Sequence, residues 1–68
     1  MNQTAIDAVF ADRRLRDKFS HPRMDKAICE ERMAGAMWKD IAKRHRRSCF
    51  YCREVTRRVM RLYVLFVE

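Results

Sequence analysis

Residues Glu31 to Arg58, ERMAGAMWKDIAKRHRRSCFYCREVTRR, decide how this chain folds. Within them Met37, Trp38, Ile41 and Ala42 recur at helical spacing, and Lys39, Asp40, Lys43 and Arg44 fall on the other side. That pattern predicts a short helix from about Met37 to His45. Arg46-Arg47 predicts a turn, and Ser48 is a residue type whose hydroxyl satisfies the unpaired N–H groups at a helix start. Beyond it Cys52, Val55, Val59 and Leu62 or Tyr63 make one stripe, while Arg53, Arg57 and Arg61 line another face with Arg58 beside them. Upstream, Gly35 is the one position where the backbone can turn at positive φ without a steric penalty.

Working outward, Pro22 to Met33 predicts the preceding helix. Pro22 disfavours helical geometry at His21 but suits a first helical turn, and Met24, Ala27, Ile28 and Met33 keep helical spacing. Asp25, Lys26, Glu30, Glu31 and Arg32 are assigned to the other faces. Thr4 to Phe19 predicts a first helix capped by Thr4, with Ile6, Val9, Phe10, Leu15 and Phe19 as a stripe that drifts after Phe10. The last stretch, residues 62–67, is apolar on all sides, and its β-branched and aromatic content suits strand as well as helix. One copy of so small a chain cannot bury it all, so Leu62, Tyr63, Leu65 and Phe66 are expected to meet a second copy or another protein. The expected architecture is one all-α domain over residues 1–68, with three to four helices. It divides into a helix over 4–19, a unit over 22–61 and the apolar end, with a long C-terminal helix.

Composition narrows the function classes. The chain has 68 residues, enough for one marginal domain. Its net charge is +7. Nine basic residues lie between Lys39 and Arg61, opposed only by Asp40 and Glu54, whereas seven basic and seven acidic residues balance elsewhere. The whole excess therefore sits in one third of the molecule, the mark of a polyanion-binding face. A merely solvated face would mix the signs. No secretory signal and no membrane-length apolar run is read, and three cysteines are an odd number. The expectation is a reduced, cytoplasmic protein with free thiols and without membrane association.

The stretch resembles the helix-turn-helix DNA-binding motif of small homeodomain-like regulators from bacteria and phages. The resemblance rests on Ala34-Gly35, Trp38-Lys39-Asp40-Ile41-Ala42 and Ser48, and covers a little under half the chain. The family usually has Gly where this chain has Arg46, and an aliphatic residue where it has Arg47. That departure implies a turn that is longer, differently shaped, or more directly engaged with phosphate. The resemblance implies a sequence-specific double-stranded DNA binder, a phage or mobile-element transcription regulator acting as a homodimer. It implies base contacts from Cys49, Phe50, Arg53, Glu54 and Arg57 on a recognition helix in the major groove. Lys39, Lys43, Arg44, Arg46, Arg47, Ser48, Arg58 and Arg61 would hold phosphates. Solvent exposure is the plain reading of any one of these arginines.

Other constellations carry less. Cys49 and Cys52 form a CxxC which, with Cys29 and His45, has the donors of a zinc site. It lies inside an amphipathic helix with no second pair, and reads instead as a core cysteine (Cys52) and a surface thiol (Cys49). No glycine-rich phosphate loop, paired acidic site or Ser-His-Asp arrangement is visible, so no enzyme, cofactor, metal or small-molecule substrate is expected. The alternative from another class is a helical inhibitor or adaptor that binds a host regulatory protein through the same scaffold, its basic face meeting an acidic surface.

Overall fold

Asn2 opens the first helix: its side-chain oxygen accepts from the Ala5 N–H at 2.9 Å. The computed structural model describes every residue from Met1 to Glu68. Helix α1 spans Gln3–Ala11, and α2 is the single turn Arg13–Arg16. The helix expected over 4–19 is therefore broken at Asp12, and Asn2 rather than Thr4 caps it. Asp12 is extended (φ −81°, ψ 115°), and its carboxylate accepts from the N–H groups of Arg14 and Leu15 at 2.9 and 3.4 Å. A short acidic side chain that bonds its own backbone favours such a break. The break also accounts for the drifting stripe. It re-aims Leu15 and Phe19 inward, and the rings of Phe10 and Phe19 meet at 4.8 Å between centroids.

Three longer helices follow: α3 (Pro22–Met33), α4 (Trp38–His45) and α5 (Cys49–Phe66). There are five helices, against the three or four expected, and no strand. The tail whose conformation the composition left open is the last turn of α5. Eighteen residues give that helix a length of about 27 Å, close to the longest dimension of the molecule, 30 Å.

The turns on either side of α4 share one hydrogen-bond pattern. After α3, the N–H of Gly35 reaches Arg32 O and that of Ala36 reaches Glu31 O, both at 3.0 Å, with Gly35 at φ 102°. After α4, the N–H of Arg46 reaches Lys43 O at 3.3 Å and that of Arg47 reaches Ala42 O at 2.9 Å, with Arg46 at φ 54°, ψ 45°. Both are Schellman closures, which satisfy helix-end carbonyls through one left-handed residue. The second turn is thus no longer than a glycine turn; an arginine holds the glycine conformation.

The core forms two adjoining clusters. Ile6, Val9, Phe10, Leu15, Phe19, Cys29, Val55, Val59 and Leu62 make the larger. Ile28, Ile41, Ala42 and Cys52 make the smaller, covered by Met24, Ala36, Trp38 and Tyr51. Helix α5 contributes to both through the stripe read from its sequence, and Tyr51 packs against each. Two assignments change. Met37, placed with the inward side of α4, is 58% exposed. Asp25, placed on a solvent face of α3, is 2% exposed and accepts a hydrogen bond from the Tyr51 hydroxyl at 2.7 Å.

Candidate nucleic-acid interface

Because Cys52, Val55, Val59 and Leu62 face the core, the opposite face of α5 must face solvent. Cys49, Phe50, Arg53, Arg57 and Arg61 are all exposed there, and Glu54 is half-buried at its edge. Ser48 caps the helix, its hydroxyl accepting from the Tyr51 N–H at 2.9 Å. Phe50, 71% exposed, places an apolar ring at the N-terminal end of this face. Alongside, α4 presents Lys39, Lys43 and Arg44, and the turn between the helices presents Arg46.

Hydrogen bonds and ion pairs divide these cations into engaged and unengaged. Glu31 takes two of the last residues of α4, the Arg44 guanidinium at 2.6 Å and His45 Nε2 at 2.7 Å. Arg57 pairs with Glu54 at 3.0 Å. Such exposed pairs are individually weak, and Arg57 can exchange its partner for a phosphate or base at small cost. Arg53 lies over the Trp38 ring at 5.9 Å, and Arg32 lies over the same ring at 4.6 Å. The indole thus orients two guanidinium groups by cation–π attraction. Arg47 leans over Tyr51 at 5.5 Å. Lys39, Lys43, Arg46 and Arg61 enter no ion pair.

Two expected site residues lie elsewhere. Arg58 donates to Lys18 O at 3.4 Å and lies over the Phe19 ring at 5.7 Å, on the flank of α5 away from Trp38. Leu62, expected at an interface between copies, is 7% exposed and belongs to the larger core cluster, with Tyr63 packed beside it. The exposed apolar end consists of Val64, Leu65, Phe66 and Val67.

The cysteines are divided in the same way. Cys49 is exposed, whereas Cys29 and Cys52 are buried in different clusters. Burial, with the negative charges of Asp25 and Glu30 nearby, pushes the Cys29 thiol up to about 12. Cys52 is raised chiefly by burial as well. Both thiols therefore stay protonated and poor as ligands or nucleophiles. Tyr51 is raised by burial and by its bond to Asp25, with Arg47 acting the other way.

The Glu31 ion pairs and the Asp25–Tyr51 bond were not legible in the sequence. Each links residues 13 to 26 positions apart, beyond the reach of helical periodicity. The chain matches no family model, no curated protein and no solved structure.

Proposed function

We propose that the chain is a sequence-specific double-stranded DNA-binding protein in which α4, the Arg46–Ser48 turn and α5 act as a helix-turn-helix. One observation carries the reading: α5 is buried along one face and presents Phe50, Arg53, Arg57 and Arg61 along the other, flanked by unpaired Lys39, Lys43 and Arg46. A helix about 10–12 Å across fits the major groove, about 12 Å wide. With its N-terminal half in the groove, Arg53 and Arg57 approach base edges, and a bidentate guanidinium contact to guanine discriminates by about 1–3 kcal/mol. Phe50 offers apolar contact to a thymine methyl, and Cys49 and Glu54 complete the reading edge. Lys39, Lys43, Arg46 and Arg47 hold phosphates, and Arg61 continues the basic line. Arg44, shared with Glu31, and Arg58, on the far flank, take lesser parts.

The exposed Val64, Leu65, Phe66 and Val67 support a homodimer joined at the end of α5, which would set two half-sites about 34 Å apart. A regulator of transcription from a phage or mobile element suits so small a binder. Selection of duplexes from a random pool tests the proposal. Enriched, near-palindromic sites and an affinity falling steeply with salt are expected. A pool without enrichment, bound with no salt dependence, sinks it. The same apolar end favours a second reading, an adaptor docking on a host protein. Partners captured from nuclease-treated lysate by the wild-type chain, and lost with L65D, would support it.

A further inference from the structure

A small cavity lies between the start of α3 and the flank of α5 remote from Trp38. Its volume is about 240 Å³, and its polar lining comprises Ser20, His21, Asp25, Tyr51, Glu54 and Arg58. Asp25 is the feature that calls for explanation. It is 2% exposed, and Oδ1 accepts from the Tyr51 hydroxyl at 2.7 Å. The second oxygen, Oδ2, takes no hydrogen bond from the chain and is not sealed off, and Asp25 lines this cavity. No cationic group pairs with it. A carboxylate buried without a counter-charge favours a cationic group beside it.

The surroundings define what that group belongs to. An ammonium group satisfies Oδ2 with a charge-assisted hydrogen bond. A purely cationic ligand, however, meets a chain of net charge +7 and an Arg58 guanidinium on the rim, where the charge of Glu54 is already paired with Arg57. A purely anionic one meets Asp25 itself. A molecule bearing both charges avoids each penalty, with its ammonium inward and its carboxylate toward the rim. Arg58 is available for that carboxylate, since its one hydrogen bond, to Lys18 O, is long at 3.4 Å. The Ser20 hydroxyl and the His21 ring make no side-chain hydrogen bond within the chain and add polar capacity at the mouth. The volume lies below the roughly 300–1,000 Å³ of sites for drug-sized ligands, so the ligand is small.

We propose that this cavity binds a free α-amino acid, its ammonium group on Asp25 Oδ2 and its carboxylate on Arg58. Tyr51, Glu54 and Arg58 belong to α5, so the bound molecule ties that helix to α3. Any effect on a duplex rests on the DNA-binding reading, whereas ligand binding itself does not, and the test uses the protein alone. Calorimetric titration and thermal denaturation of the full chain are run with each of the common free α-amino acids. Their N-acetyl and α-amide derivatives and simple alkylamines serve as further probes. Saturable binding of at least one free amino acid, with a rise in Tm, is expected. Affinity should fall about tenfold or more when either charged end is blocked.

D25N keeps an acceptor for Tyr51 and R58Q alters an exposed side chain; each is expected to weaken binding by a similar factor. If D25N does not fold, R58Q decides. Absence of saturable binding across the amino acids overturns the proposal, as does equal binding of alkylamines, or affinity unchanged in R58Q.

Discussion

The two turns that bracket α4 close with the same hydrogen bonds and differ in the residue at their left-handed position. Gly35 occupies the first at φ 102°, a region that side-chain-bearing residues avoid. Arg46 occupies the second at φ 54°, the narrower left-handed helical region, at a cost of about 1–2 kcal/mol relative to ordinary backbone. One turn relieves the backbone. The other accepts strain and places a guanidinium at the joint between the two helices of the proposed interface. The contrast argues that Arg46 is there for its side chain, since glycine would serve the backbone better.

The largest effect is expected where neither turn is touched. Ile41 is fully buried in the smaller cluster, and I41A should cost about 2–5 kcal/mol in denaturant unfolding. A smaller loss than in the turn variants would mean that the turns, not the core, hold α4.

Next, G35A should cost about 1–2 kcal/mol. No atom lies within 4 Å of a Cβ built at Gly35, so this loss comes from the backbone alone. An unchanged midpoint would erase the contrast between the turns.

R46G should act in the opposite direction, gaining up to about 1 kcal/mol of stability while lowering the salt slope of duplex binding by about 1. Gain of stability with undiminished DNA binding would leave the strained arginine without a purpose.

The smallest effect concerns Tyr51, just beyond the second turn. Burial and the bond to Asp25 raise its ionisation above the ordinary value of 10 in the folded state. Its contribution to stability is present below that ordinary value and is lost as pH rises through the folded one. Wild type should therefore lose stability more steeply than Y51F in the alkaline range, as followed by circular dichroism. Parallel curves would mean that neither burial nor the bond to Asp25 biases this ionisation.

Helices α3, α4 and α5 were legible because each carries a punctuating residue next to a clear stripe: Pro22, Gly35 and Ser48. The break at Asp12 was not, since an acidic residue on the outer face of an amphipathic pattern looks the same whether it faces water or caps a new turn. Asp25 was misplaced for a related reason. Charge predicts exposure, and the Tyr51 hydroxyl that bonds Asp25 comes from another helix, 26 positions away. At the candidate interface, sequence located the basic face but not its internal pairings. Arg44 and Arg58 resemble their neighbours in spacing. What separates them is Glu31 on α3 and the Phe19 ring, neither near them in sequence.

Helix α4 contributes only Ile41 and Ala42 to the buried interior, both in the smaller cluster, which contains no residue of α1. It buries fewer residues than α1, which contributes Ala5, Ile6, Val9 and Phe10, and is expected to open before α1 in native-state hydrogen exchange. A duplex gripped by Lys39 and Lys43 would hold it shut, slowing exchange of its amides far more than those of α1. Part of the binding free energy would then go into suppressing a local fluctuation that the unbound protein permits.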